Sequence, residues 1–223
     1  MPAPHDEPLP ASLARAAAAR ARFLNELPAG YAPLRHLLIP NIYGGIVIAT
    51  CLAMLGEPSL AQWSVLPTVL IVGQGVEWRF HRDLLHRRVP PLQYLYDAHH
   101  VSHHTLYVRG AMAIRELREL RAVLFPWWAI GVLTLLLAPL ALTLAALFGR
   151  DAGLLFMVAT HGYMVVYEWL HTAYHLPTRH PLHRAVAWLA AHHELHHDPA
   201  LMTRANFGVT TPLWDLLRGT LRR

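Results

Sequence analysis

The chain has 223 residues, a formal net charge of +5, a hydrophobic content of 54% and a mean hydropathy of +0.28. That length suits one domain, and that composition makes integral membrane proteins the first class to test. The single cysteine, Cys51, excludes a disulfide framework, a cysteine-ligated zinc site and an iron–sulfur cluster. All nineteen basic residues are arginine, which with the alanine content points to a GC-rich, bacterial genome.

Residues 1–10 are rich in proline and are expected to be disordered. No charged-then-apolar-then-small pattern marks a cleaved signal peptide. Residues 11–27, ASLARAAAARARFLNEL, are alanine- and arginine-rich and predict a helix. Its Arg15, Arg20 and Arg22 either meet anionic headgroups on a membrane surface or face water. Residues 1–30 therefore read as a disordered and amphipathic helical segment ahead of a single membrane domain over 31–223.

Four uncharged runs follow: Leu37–Gly56, Leu60–Val76, Ala122–Phe148 and Ala152–Tyr167. A span needs about 20 apolar residues. The second and fourth fall just short, and Glu77 and Glu168 at the interface would complete them. Pro40, Pro67, Pro126 and Pro139 are expected to bend or delimit helices, with Pro139 splitting the third run into a span and a re-entrant piece. The connections Glu57–Ser59 and Gly149–Asp151 are short enough to make two hairpins. Of the arginines, only Arg150 then falls on the far side, so the positive-inside rule puts the other side in the cytoplasm. The expected fold is an all-α integral membrane protein, with about four transmembrane helices in two hairpins. A cytoplasmic helical cap would hold a histidine-rich dinuclear metal site.

That cap carries one phrase written twice. Residues 77–104 hold EWRFHRDLLH and then HHVSHH; residues 168–197 hold EWLHTAYH and then HHELHH. Neutral imidazole suits iron, zinc, copper and nickel. On a helix, residues three and four apart share a face. His100, His103 and His104 form such a set, as do His193, His196 and His197, and the pair His171 and His175. His81 and His86 are five apart, so on an α-helix they diverge and reach different metals. A lone histidine is usually structural, but two spaced clusters in matched context have few structural readings. The candidate ligands are His81, His86, His100, His103, His104, His171, His175, His193, His196 and His197. They suit two ions with about five ligands each, roughly octahedral, with one position open.

Other residues take supporting roles. Glu77 and Glu168 are placed to accept a ring N–H from a ligating histidine and fix its tautomer. His99 and His192 precede their clusters and read as a supporting layer. Asn206 and Asp215 either bond ligand histidines or cap helices. Phe207, Gly208 and Trp214 are expected to pack against the metal cap. Aromatic residues such as Trp78, Tyr107, Trp127, Trp128, Tyr167, Trp169 and Tyr174 suggest an interfacial belt, with some lining a lipid tunnel. His161, mid-run in the fourth span, reads as a hydrogen-bonded core histidine. His5, His36, His180 and His183 read as non-ligands.

The order H-x4-H, H-x2-HH, H-x3-H, H-x2-HH resembles the fatty acid hydroxylase / sterol desaturase superfamily of membrane histidine-box di-iron oxygenases. The tail NFGVTTPLWDLLRGT (206–220) resembles that superfamily's C-terminal signature, and the likeness covers about 75–220. The H-x3-H third box is closer to the fatty-acyl hydroxylase branch. The resemblance implies two iron ions, dioxygen as co-substrate, a membrane lipid substrate and hydroxylation of a fatty-acyl-type C–H bond. It implies one ion held by His86, His100, His104, His175 and His196, and the other by His81, His103, His171, His193 and His197. It also implies an external electron donor, a ferredoxin or a cytochrome with its reductase, since the chain has no flavin fingerprint and no cysteine cluster. No partner of the nucleic-acid class is expected, and the expected location is the bacterial inner membrane with the site on the cytoplasmic face. Zinc can occupy such sites in a purified protein, because affinity alone favours it over iron. A lipid desaturase and a sterol or carotenoid hydroxylase are alternatives within the chemistry. A membrane metal-binding or storage protein and a zinc hydrolase are alternatives outside it.

Overall fold

The computed structural model describes residues 9–223, with side chains from Ala11 onward. Residues 1–8, His5 among them, lie outside the described residues, and with them the expectation of disorder there; Leu9 and Pro10, also expected to be disordered, are instead the first residues of helix α1. The described chain is all-helical. In order it runs α1 (Leu9–Glu26), α2 (Pro33–Ala53), α3 (Leu60–Trp63), α4 (Val65–Phe80), α5 (Gln93–Tyr96) and α6 (His104–Leu106). It continues as α7 (Leu120–Val123), α8 (Ala129–Phe148), α9 (Arg150–Tyr174), α10 (Pro181–Ala185), α11 (Ala187–His196) and α12 (Leu213–Arg218). Two π-helical segments, His81–Leu85 and Asp97–His103, interrupt this order. The chain divides into two compact units.

One unit comprises Leu34–Gly73 and Leu124–Trp169. It holds α2 and α8, the two helices among the described residues long and apolar enough to cross a membrane, with mean hydropathies of 1.6 and 2.4. Their outward leucines and isoleucines, such as Ile46 and Leu135, are exposed, as a lipid-facing surface requires. These are two of the four expected spans. The run Leu60–Val76 is divided at Ser64 into α3, which a Ser59–Gln62 capping box starts, and α4, whose third residue Pro67 has no N–H to offer the Trp63 carbonyl. The fourth run lies in the more polar α9. Pro40 and Pro139 do not end their helices, and α8 runs through Pro139 as one piece with no re-entrant break. Apolar helices tolerate proline where neighbouring helices and threonine hydroxyls resatisfy the backbone. Pro126 stands in a break just before α8, and Pro67 stands in the first turn of α4, just after the break at Ser64.

Small residues and a polar thread join α2, α8 and α9. A Cβ on Gly44 would sit 3.0 Å from Val165 and 3.2 Å from Ile130, so glycine lets the helices approach without those side chains shifting. The Tyr43 hydroxyl donates to Thr134 Oγ1 (3.1 Å), which lies 2.8 Å from His161 Nε2. His161 Nδ1 bonds the Met157 carbonyl, so this fully buried ring is a satisfied core histidine. His36 likewise bonds the Phe125 carbonyl at 2.8 Å.

The other unit takes the residues up to Pro33, then Gln74–Val123 and Leu170–Arg223. Its core includes Ala19, Leu106, Tyr107 and Val123. Arg20 is not on offer to headgroups. It is 6% exposed, lies 3.5 Å from the buried Glu119 carboxylate, bonds the Leu106 and Ala113 carbonyls, and covers the Tyr107 ring. A buried guanidinium is tolerated only when paired and hydrogen-bonded in this way. This ties α1 into the unit, so it is not a surface helix on all sides. Trp78, Tyr107 and Tyr174 are buried here and do not belong to an interfacial belt.

Candidate metal centre

Ten histidines in this unit converge as two groups of five. His81, His86, His99, His104 and His196 form the first; His103, His171, His175, His193 and His197 form the second. In each, one nitrogen per ring lies within 4.8 Å of all the others. Nine of the ten expected candidates are in these groups. His100 is not, and His99 takes its place. The partition also departs from the family-implied one, since His81 and His175 each stand in the opposite group.

The cause is local backbone geometry. A π-turn bonds residue i to i+5, so residues five apart come onto one face. His81 and His86 flank the segment His81–Leu85 and join the same group, although on an α-helix they would diverge. The second π-turn, Asp97–His103, does the same for His99 and His104, whose Nε2 atoms are 3.0 Å apart. His100 is turned aside; its Nδ1 is 2.9 Å from His86 Nδ1, and its ring stacks on Tyr96 at 4.7 Å. In α11 the ordinary periodicity holds: His193 and His197, four apart, share the second group, while His196 turns to the first.

The outer nitrogens fix what the inner ones can do. His81 Nδ1 bonds the Phe207 carbonyl (2.6 Å), His196 that of Ala205 (2.9 Å), His103 that of Ala122 (2.9 Å), His175 that of Met112 (2.9 Å) and His197 that of Tyr107 (2.6 Å). A carbonyl only accepts, so each Nδ1 carries the hydrogen and each Nε2 presents a bare lone pair. Yet the Nε2 atoms of His103 and His197 face each other at 3.2 Å. Further Nε2 pairs lie at 2.8 Å (His81 and His99), 3.0 Å (His86 and His196; His193 and His197) and 3.3 Å (His175 and His193). In each of those further pairs one ring is fixed by a carbonyl; between His103 and His197 both are, and two lone pairs cannot hydrogen-bond each other. Protonation is no remedy, because burial holds the rings of His81 and His175 down to about 4. Burial, then the neighbouring rings, pushes those of His86, His99, His103, His104 and His193 well below the usual range. A cation is the group that fits between them. With metal–nitrogen bonds of ~2.0–2.1 Å, neighbouring ligand atoms of an octahedron lie roughly 3.0 Å apart, which matches these edges. The donor set thus fits two metal ions.

The expected carboxylate partners act elsewhere. Glu77 accepts from the Val209 and Thr210 amides (2.5 and 3.1 Å) and the Thr210 hydroxyl (2.7 Å), so it grips the tail. Glu168 accepts from the Phe125 amide (2.8 Å) and does not orient a histidine. The orienting acceptors are backbone carbonyls, which leave no mark in a sequence. Two of them, Ala205 and Phe207, belong to the tail loop, and Asp215 holds that loop. Its carboxylate takes the Phe207 and Gly208 amides (2.9 and 2.8 Å), Trp78 Nε1 and the Thr220 hydroxyl, and lies 3.3 Å from His192 Nε2. Burial raises its pKa, but His192, Thr220 and these amides outweigh that and bring it to about 2. A Cβ on Gly208 would lie 2.2 Å from the Thr211 carbonyl, so the loop requires glycine there. Asn206, at φ +56°, bonds the His192 and Arg222 carbonyls and fixes the loop's start. The Phe207 ring lies 5.6–6.0 Å from the rings of His81, His86 and His196. Trp214 packs on Gly75. His180 caps α10 through the Leu182 amide, and His183 bonds the Ala173 carbonyl.

The groups differ in access. All five rings of the second are buried, whereas His99 of the first is only partly so. A cavity of about 220 Å3 reaches His104 and His100.

A model of the family described as fatty acid hydroxylase matches residues 66–220. The chain belongs to the fatty acid hydroxylase family. No curated protein and no solved structure matches it. The family lies within the fatty acid hydroxylase / sterol desaturase superfamily, is membrane-associated and typically metal-dependent, and implies an oxidoreductase of the membrane hydroxylase or desaturase type. The matched stretch includes every histidine of both groups and the tail that orients them. It leaves out α1 and α2.

Proposed function

We propose that this protein is a membrane-bound, dioxygen-dependent di-iron oxygenase that hydroxylates a C–H bond of a fatty-acyl-type lipid. The observation that carries the reading is the convergence of ten histidines in two groups of five, with five of the rings turned by backbone carbonyls to present a bare Nε2 inward, within a chain of this family. The balance is one C–H, one dioxygen, two electrons and two protons giving one C–OH and one water. Iron, when bound, supplies the redox chemistry that activates dioxygen.

The chain's own residues do the rest. His81, His86, His99, His104 and His196 would hold one ion, and His103, His171, His175, His193 and His197 the other. Five nitrogens in each group would leave room at a bound ion for one further ligand. The carbonyls of Tyr107, Ala122, Met112, Ala205 and Phe207 hold a proton on each outer nitrogen, which keeps the inner one available and the ring oriented. Phe207 and Tyr107 exclude water from the ligand rings. The electrons come from a separate carrier, a ferredoxin or a cytochrome with its reductase, since one cysteine cannot hold a cluster. We place the protein as a multi-pass protein of the bacterial inner membrane with the histidines on the cytoplasmic side; α2, α8 and the arginine distribution support this.

The test uses protein reconstituted with ferrous iron, supplied with ferredoxin, reductase, host lipids and 18O2. The expected result is two irons per chain and one labelled oxygen in a hydroxylated lipid, read by mass spectrometry. Unlabelled product, or turnover without dioxygen, overturns the oxygenase reading. At most one metal per chain with all ten histidines intact overturns the dinuclear one.

A further inference from the structure

The segment around the first π-turn carries a charged face. Arg79 and Arg82 both pair with Asp83, the latter at 2.8 Å, and Arg87 lies 3.8 Å from the same carboxylate. Three guanidiniums on one carboxylate leave an excess of positive charge. The side chains of Arg79 and Arg87 are 67% and 69% exposed. Arg218, exposed on α12, adds a fourth cation. The guanidiniums of Arg82 and Arg218 lie 4.4 and 5.4 Å from the Trp78 ring. Trp78 is buried under this cover, and its Nε1 donates to Asp215 and Thr220, which fixes the ring. Behind it the Phe207 ring meets Trp78 edge-on at 6.1 Å and stands 5.6–6.0 Å from the rings of His81, His86 and His196. Two packed aromatic rings therefore bridge the charged face and the first histidine group.

We propose that this arginine face is the docking surface for an acidic protein electron carrier. Opposite charge across an interface steers encounter and fixes orientation, and salt screens it. Arginine suits the task, because its planar fork pairs with a carboxylate while its face stacks on an aromatic ring. Arg82 already does both, with two bonds to Asp83 (2.8 and 2.9 Å) and its place over Trp78. The carboxylates of an acidic partner repeat the chemistry that Asp83 shows. The partner must bring electrons, since a chain with one cysteine holds no cluster of its own. Each docked carrier is oxidised by one electron, and two dockings supply the pair that one hydroxylation consumes. Trp78 and Phe207 place the docked carrier one packed aromatic pair away from His81, His86 and His196. The inference rests on the oxygenase reading for the fate of the electrons; the docking itself needs neither iron, dioxygen nor lipid substrate.

The test is interferometric binding to zinc-loaded full-length protein in nanodiscs of zwitterionic lipid, with empty nanodiscs as blank. The probes are an acidic [2Fe–2S] ferredoxin, an acidic soluble cytochrome of the b type and, for the opposite charge, basic cytochrome c. At least one acidic probe is expected to bind, and to bind more weakly as salt rises. Arg79→Glu combined with Arg87→Glu should weaken that binding on the order of tenfold. Arg218→Glu should act in the same direction without touching the Asp83 pairs, and Arg22→Glu, exposed on α1, should leave binding unchanged. In iron-loaded protein the double variant should raise KM for the carrier and leave unchanged a single turnover started by dithionite. No binding of either acidic probe, equal binding of cytochrome c, or affinity indifferent to the arginine variants overturns the proposal. Carrier affinity kept, with thermal stability lost only in nanodiscs of anionic lipid, assigns the arginines to headgroups and overturns it too. Arginine-dependent docking in a protein that never oxidises lipid supports this surface and counts against the oxygenase reading alone.

Discussion

The first histidine group draws His81, His86, His99 and His104 from two π-turns and their edges, and only His196 from a regular helix. The second draws His171, His175, His193 and His197 from α9, α11 and their last turns, and only His103 from a π-turn. The first is also reached by a cavity and includes a half-buried ring; the second is sealed by Tyr107 and by α1 through Arg20 and Glu119. A π-turn adds one residue to a helical turn, loses packing regularity, and recurs at functional sites. Irregularity therefore gathers at the group that the cavity reaches, and regular helix at the group that is sealed.

Removing a ring from the sealed group should have the largest effect. His197 faces both His103 and His193, and its Nδ1 binds the Tyr107 carbonyl. His197→Ala should cost more than the roughly 100-fold that losing an outer-layer partner costs. Metal analysis should read one ion per chain in place of two, and lipid oxidation should vanish. Two ions retained in that variant would mean the second group is not a site.

His99 and His100 sharpen the comparison next. His99→Ala should remove the ion of the first group, whereas His100→Ala should keep both ions bound. The opposite result would show that the second histidine box turns as an α-helix when metal binds, and would abolish the π-turn argument. A smaller effect is expected from Glu77→Gln, which loosens the tail that carries the Phe207 and Ala205 carbonyls. A loss of roughly 10- to 100-fold in metal affinity should follow, confined to the first group. Equal loss at both groups would break the link between tail and first site.

The smallest effect is that of pH on the metal-free protein, read as the thermal midpoint in nanodiscs. His81 and His175 titrate near 4 when folded and near 6.5 when free. The unfolded chain binds more protons across that interval, so stability is complete above about pH 6.5 and falls as pH drops towards 4. The midpoint at pH 5 should lie below that at pH 7.5. Since protons and metal compete for the same nitrogens, bound zinc should raise the midpoint at both values, and more at pH 7.5. A midpoint indifferent to pH would mean that these rings are solvated and the groups open.

Much of the site was legible because its chemistry is written in residue type and spacing. Histidine is the only side chain here that ligates through a neutral nitrogen, and four-residue spacing on α11 places His193 and His197 in one group, as the structure does. What misled was the assumption of one helical period. An inserted π-turn has no residue signature, so His81 with His86, and His99 in place of His100, were read on the wrong face. The carboxylates misled in a similar way. Glu77 and Glu168 stand at plausible spacing from His81 and His171, but backbone carbonyls from distant loops occupy the outer nitrogens first.

By itself, the sequence determined the helical class, the apolar stretches of α2 and α8, and the histidine-rich segments from which nine of the ten candidate ligands converge. Each of these depends on local composition or short-range spacing, which a linear chain displays. Only the tertiary structure decided which rings share a centre, which nitrogen of each ring points inward, and that Arg20 is buried against Glu119 while Arg15 borders a cavity. Those outcomes depend on which backbone carbonyl reaches a given ring and on how α1 packs on α6. Such contacts join residues up to 126 positions apart, as between His81 and Phe207. Hydrogen-bond partners at that range are fixed by packing, and no spacing along the chain records them.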